Sequence, residues 1–265
     1  MIDKINFYAS LFLVGLILIS IVAYSISSKF ENGDAERIER YSNNYPNFIK
    51  LAYRFIGGWI IWIAEKIISF IPSEINPSRI SLIGMLMSVA SALAIVPGYI
   101  SLGGMFLLIS GLMDVLDGKQ ARKNKKASPS GALVDSVLDR IGEIAIFSSI
   151  AVSFILKDLK IPAIITILSL GFSILVSYVR ARGESLGIKS EEGIMRRQER
   201  IFLLTSALII DSLLSTKISM YIAIIIILLG SIYTSLERFK HIYEKLNDKE
   251  TKKNDKTNLF IHSQN

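Results

Sequence analysis

Apolar positions in this chain form long unbroken runs instead of alternating with polar ones. Residues 5–28 carry no charge over 24 positions and residues 80–113 none over 34, whereas a helix needs only about 20 apolar residues to cross a bilayer. The longer run therefore holds two crossings, 80–97 and 102–113 with its polar continuation. Further stretches at 141–156, 161–179, 201–215 and 218–236 bring the total to seven candidate spans. The pattern predicts an all-α integral membrane protein. The runs ending at Met113 and starting at Ile141 are too short to cross until polar flanking turns are included. Those turns are then polar helix at membrane depth, where each central charge costs on the order of 3 kcal/mol, and they are expected to face a water-filled cavity.

Residues 48–75 read differently. The stretch FIKLAYRFIGGWIIWIAEKIISFIP mixes apolar residues with Lys50, Arg54, Glu65 and Lys66 and contains Trp59 and Trp62. That mixture suits an amphipathic helix in the headgroup layer. Residues 29–47 form a polar linker, and 241–265 a lysine-rich tail expected to be mobile. The first span is longer than a signal-peptide core and no small-residue cleavage site follows, so residues 1–28 read as an uncleaved anchor.

Charge sets the orientation. Segments 29–79, 119–140, 180–200 and 238–256 hold 7, 6, 6 and 7 of the chain's 30 lysines and arginines. The positive-inside rule places them in the cytoplasm and Met1 outside; a crossing by 48–75 would invert the side of Met1. The net charge of +7 follows from this topology and from attraction to anionic headgroups, and no nucleic-acid partner is needed to explain it. The absence of cysteine excludes disulfides, thiolate metal sites and cysteine nucleophiles. His241 and His262 lack ligand-like neighbours in sequence, so any metal must rest on carboxylates.

Such carboxylates occur where two spans meet the cytoplasm, in GLMDVLDGKQARKNKKASPSGALVDSVLDRIGE. Asp114 and Asp117 are three apart and Asp135 and Asp139 four apart, which puts each pair on one helix face. Gly118, Pro129 and Gly131 allow the chain to turn and bring the two faces together. Four converging carboxylates need a counter-charge. Mg²⁺ or Mn²⁺, as two ions about 4 Å apart, would supply it and would suit phosphoryl displacement. Salt bridges to Arg122, Arg140 and the basic 123–126 segment are the alternative. A cation transporter would spread its acidic residues over several helices near mid-membrane instead.

Asp114, Asp117, Gly118, Ala121, Arg122, Gly131, Asp135 and Asp139 fill every fixed position of DxxDGxxAR, eight residues, then GxxxDxxxD. The chain thereby resembles the CDP-alcohol phosphatidyltransferases over about residues 50–245. The resemblance implies a six-helix core at 76–240 with an interfacial amphipathic helix, to which this chain adds an N-terminal transmembrane helix. It implies a homodimer that transfers a phosphoryl-linked lipid from a CDP-lipid donor to an alcohol and releases CMP. Asp114, Asp117, Asp135 and Asp139 would be metal ligands and Asp139 the general base. Asp117, Gly118, Ala121, Arg122 and Gly131 would border the CDP. Pro77 and Ser81, in NPSRISLIG, would lie beside the cytidine, although a helix start explains them equally well.

The second polar patch, SYVRARGESLGIKSEEGIMRRQER from 177 to 200, is dense in arginine. Alone, these side chains read as membrane-boundary anchors; near a metal site they suit a phosphate dianion, which guanidinium forks bind in pairs. SYxRARxExxG followed by RxER is similar to the branch of the family that makes phosphatidylinositol phosphate or its archaeal counterpart from inositol 1-phosphate. That resemblance implies acceptor-phosphate contacts from Ser177, Arg180, Arg182, Arg197, Arg200 and Arg238. Gln198 stands where the branch commonly has proline. Glycerol phosphate or serine as acceptor and CDP-inositol as donor remain alternatives, and diacylglycerol and archaeal ether lipids would present the same CDP head.

Overall fold

The computed structural model describes residues 1–27, 39, 42, 47–72, 74–123, 128–190 and 192–262. Its elements are α1 (Ile2–Ser27), α2 (Asn47–Ile68), α3 (Pro77–Ile95), α4 (Ile100–Lys123), α5 (Pro129–Ile155), α6 (Lys160–Ser185), α7 (Arg197–Leu214) and α8 (Ile218–His262). The expected linker at 29–47 lies almost wholly outside the described residues. Among the described residues, five helices are long and apolar enough to cross a membrane: α1, α3, α4, α6 and the 218–249 part of α8. The other two core helices, α5 and α7, carry the charges expected at membrane depth. Two boundaries differ from expectation. The interfacial helix stops at Ile68, and the tail expected to be mobile continues α8 as helix to His262.

Local chemistry sets the helix starts. Asn76 caps α3 by accepting the Ser78 N–H at 3.0 Å, with Pro77 in the first turn; Ser128 caps α5 by accepting the Gly131 N–H at 3.1 Å, with Pro129 following. Proline is tolerated there because its missing N–H has no helical partner in any case. Buried Asp211 accepts the Ser219 and Met220 N–H groups, both at 2.9 Å, and so caps α8 from the end of α7.

The core helices pack α3 against α4 and α5, α4 against α7, and α6 against α8. Leu107, Phe147, Ile150, Leu204, Leu208, Ile224 and Ile227 fill the centre. In lipid, association relies on close packing and interhelical hydrogen bonds, worth about 0.6 kcal/mol each on average. Both are present. A side chain at Gly84 would meet Met113 Cβ at 3.1 Å, and one at Gly142 would meet Ser88 Cβ at 3.0 Å; these two glycines let α3 approach α4 and α5. Ser88 and Ser110 share a 2.8 Å hydrogen bond, and Ser91 donates to the Gly103 carbonyl at 2.7 Å.

The appended helices join the core at both ends of α1. Asn6 donates to the Gly98 carbonyl at 2.8 Å and accepts from the Ser101 hydroxyl at 3.0 Å. Its own carbonyl accepts from Ser212 at 2.8 Å. Further along α1, Ser20 accepts from the Trp59 indole of α2 at 3.1 Å. Helix α2 packs Ala64 and Ile68 against Ile80 and Leu116, while Glu65 ion-pairs with Lys119 at 3.0 Å.

Candidate active site

The end of α4 and the start of α5 bring the aspartates together. Asp114, Asp135 and Asp139 each offer a carboxylate oxygen within 4.8 Å of the others. Asp117, only 7% exposed, stands beside this group and accepts from the Ser81 hydroxyl of α3 at 2.7 Å. Asp135 Oδ1 is buried with no hydrogen-bond partner, a costly state for a carboxylate oxygen unless a cation satisfies it. The all-oxygen donor set and this orphaned oxygen fit a hard divalent ion such as Mg²⁺ or Mn²⁺.

The structure adds a cation that the aspartate spacing did not reveal. Arg197, the first residue of α7, reaches Asp114 Oδ1 with Nη1 at 2.8 Å and Asp139 Oδ1 with Nη2 at 3.0 Å. Gln198 donates to Asp114 Oδ2 at 3.4 Å. Of the salt-bridge partners expected from the sequence, Arg140 lies 3.9 Å from Asp139 Oδ2, while residues 124–126 lie outside the described residues; the close pairs come from Arg197.

The remaining residues expected from the sequence fall into three groups. Gly118, Ala121 and Arg122 follow Asp117 on α4, Gly131 precedes Asp135 on α5, and Pro77 and Ser81 lie on the first turns of α3. Half-buried Ser177 on α6 accepts a hydrogen bond from Arg140. Arg180 and Arg182 are exposed at the end of α6, where Arg180 pairs with Glu184 at 2.9 Å and Arg182 donates to Ser185 at 3.5 Å. Arg200 and Arg238, expected at the acceptor phosphate, are both engaged inside the protein. Arg200, 1% exposed, ion-pairs with Glu143 at 2.6 Å and donates to the Met195 carbonyl at 3.0 Å. Arg238, 3% exposed, donates to the Glu192 carbonyl at 2.8 Å and to the Val176 carbonyl at 3.1 Å.

Arg238 belongs to a clamp by which α8 holds the loop leading into α7. Thr234 accepts the Ile194 and Met195 N–H groups at 3.2 and 3.0 Å. Glu192 takes the Ser190 hydroxyl at 2.6 Å and lies 3.0 Å from His241 Nδ1. Partial burial works to raise the Glu192 pKa, but the Ser190 hydrogen bond and the nearby His241 and Lys245 outweigh it and hold the carboxyl below its ordinary value.

Residues 74–233, which contain all four aspartates and the arginines up to Arg200, match the family model for CDP-alcohol phosphatidyltransferase. The chain belongs to the CDP-alcohol phosphatidyltransferase family. It is thus a membrane-embedded enzyme of phospholipid synthesis, and the all-α core expected from the signature is borne out. It is 32% identical over 168 residues to the archaetidylinositol phosphate synthase of Methanothermobacter thermautotrophicus, covering 63% of this chain and 83% of that one. It is 33% identical over 132 residues to the phosphatidylinositol phosphate synthase of Mycobacterium marinum, covering 49% of this chain and 56% of that one. The fold matches the Mycobacterium tuberculosis phosphatidylinositol phosphate synthase crystallised with manganese and citrate, with a TM-score of 0.60 at 24% identity over 69% of this chain and 88% of that one. The same synthase with CDP-DAG bound gives a TM-score of 0.59, covering 69% of this chain and 93% of that one.

Sequence reasoning missed Glu143. Its signal was available: a carboxylate four residues after Asp139, on the same helix face and entering an apolar run, is a charge at membrane depth and hence a candidate for function.

Proposed function

We propose that the protein transfers the lipid-bearing phosphoryl group of a CDP-lipid to inositol 1-phosphate, releasing CMP and forming phosphatidylinositol phosphate or archaetidylinositol phosphate. The observation that carries the acceptor assignment is Arg197, a guanidinium held at 2.8–3.0 Å from two carboxylates of the acidic cluster. From that position it can engage an acceptor phosphate beside the reacting centre. The similarity to the archaetidylinositol phosphate synthase supports the same choice.

Asp114, Asp117 and Asp135, with Asp139 at their edge, would hold two Mg²⁺ or Mn²⁺ ions. When bound, the metal neutralises the donor pyrophosphate and the charge on departing CMP. Ser81 orients Asp117 through the 2.7 Å bond. Gly118 and Gly131 leave room for the nucleotide, with Ala121, Arg122 and Pro77 beside it. Asp139 takes the proton from an inositol hydroxyl as its oxygen bonds to the lipid-bearing phosphorus; the bond to the CMP oxygen breaks and its electron pair leaves with CMP. Arg197 and Ser177 hold the acceptor phosphate, and the exposed Arg180 and Arg182 guide it in. Arg200 and Arg238 act indirectly, by holding the loop and helix that present Arg197. The reading places a homodimer in the cell membrane among membrane lipids, with the site facing the cytoplasm, as the basic segments 119–140 and 180–200 support.

The test is CMP release by the full chain in detergent with Mg²⁺ or Mn²⁺. CDP-diacylglycerol and CDP-archaeol serve as donors, with inositol 1-phosphate, inositol, glycerol 3-phosphate and serine as acceptors. Release that depends on inositol 1-phosphate is expected. Release with another acceptor overturns the acceptor assignment, and release from CDP-inositol alone overturns the donor assignment.

A further inference from the structure

Glu143 stands one helix turn beyond Asp139 and is 8% exposed. Each of its oxygens meets an arginine: Oε1 meets Arg200 of α7 at 2.6 Å, and Oε2 meets Arg140 of its own helix at 2.9 Å. Both arginines then reach onward. Arg200 donates to the carbonyl of Met195, two residues before Arg197. Arg140 donates to Ser177 of α6 and lies 3.9 Å from Asp139. The cavity beside these groups, lined by Ser88, Gly142, Glu143, Arg197, Arg200 and neighbouring apolar residues, is about 10 Å³. That is room for about one water, so little solvent reaches the carboxylate on its Arg200 side, where the arginine is 1% exposed.

We infer that Glu143 is a positioning residue for the acceptor half of the site, fixing Arg197 through Arg200 and the Met195 carbonyl, and Asp139 and Ser177 through Arg140. One carboxylate thereby sets the relative placement of the proposed base on α5, the phosphate-binding arginine on α7 and the serine on α6. Its ion pairs run to Arg140 of α5 and Arg200 of α7, and among the described residues none reaches α3 or Asp117, so its direct hold is on the acceptor half. The inference rests on the proposed division of the site into donor and acceptor halves, but not on the identity of the acceptor.

The experiment compares wild type with Glu143→Gln, which keeps the shape and removes the charge. Glu143→Asp, which keeps the charge and shortens the reach by one methylene, serves as a second variant should the first fail to fold. Each is assayed as full chain in detergent with whichever acceptor supports wild-type CMP release, and by amide hydrogen exchange without substrates. The KM for the acceptor should rise at least tenfold, while the KM for the CDP-lipid stays within about twofold. Exchange should accelerate in residues 192–200 and stay unchanged in α3 and α4. Equal rises in both KM values, or faster exchange throughout the core, would overturn the inference in favour of a structural role. So would an unchanged acceptor KM with unchanged exchange at 192–200. A wild-type acceptor other than inositol 1-phosphate would overturn only the acceptor assignment, leaving the KM comparison valid; the exchange comparison needs no turnover at all.

Discussion

Arg197 pairs with Asp114 and Asp139, two of the three carboxylates that would hold a divalent cation, and this predicts an unusual sign for one substitution. Arg197→Gln should make Mn²⁺ bind more tightly. Buried hydrogen bonds to charged groups contribute about 1.5–3 kcal/mol each. The arginine and its two aspartates retain 12%, 17% and 18% side-chain exposure, which favours the lower figure. Displacing the guanidinium from both partners then opposes metal binding by about 3 kcal/mol, or roughly 100-fold in affinity at about 1.4 kcal/mol per tenfold. Titration of the full chain in detergent, read by loss of the free-Mn²⁺ resonance signal, measures this directly. Two further signs accompany the main effect. Without Mn²⁺ the variant should melt lower than wild type, because its carboxylates have lost their internal counter-charge, and saturating Mn²⁺ should recover the difference by mass action. The KM for inositol 1-phosphate should rise. Unchanged or weaker Mn²⁺ binding in the variant would refute the competition.

Asp139→Asn should lower CMP release at least 100-fold, the lower range for loss of a general base. It should also weaken Mn²⁺ binding, since Asp139 shares the three-carboxylate group; a rate within tenfold of wild type removes it as the base. Gly193→Ala should destabilise the fold by about 2–5 kcal/mol, because Gly193 has φ of +95° and a new Cβ would lie 2.8 Å from Thr234 Cβ. Thermal melting in detergent checks this, and an unchanged midpoint would mean that the α8 clamp on the loop is dispensable. Reporter fusions should place Met1 outside and Asn265 in the cytoplasm; both ends on one side would end the seven-span topology.

The aspartate cluster was legible because helical spacing alone fixes which carboxylates share a face, and the intervening glycines and proline fix that the chain turns. Contacts between helices were less so. Gly84 and Gly142 are ordinary residues in an apolar run until Met113 and Ser88 are seen against them. The arginines carried charge and place but no partner: Arg197, Arg200 and Arg238 look alike in sequence, yet one faces the aspartates and two are engaged with Glu143 and loop carbonyls. The tail's low hydropathy points to mobility, yet its lysines are good helix formers and it continues directly from the apolar part of α8, which supplies the costly nucleus.

The docking of α1 has a consequence for how the chain is made. Asn6 bonds to Gly98, Ser101 and Ser212, partners that follow it by 92, 95 and 206 residues. Helix α1 therefore cannot complete its seat until α7 has been synthesised. At about 5–20 residues per second, that interval is on the order of 10–40 s. Until Gly98 and Ser101 are made, the Asn6 side chain must find interim partners in headgroups or water, since a bare amide in hydrocarbon costs several kcal/mol; the Ser212 bond to its main-chain carbonyl comes last. Biogenesis thus separates insertion from seating at this end: α1 is made well before the helix that completes its seat.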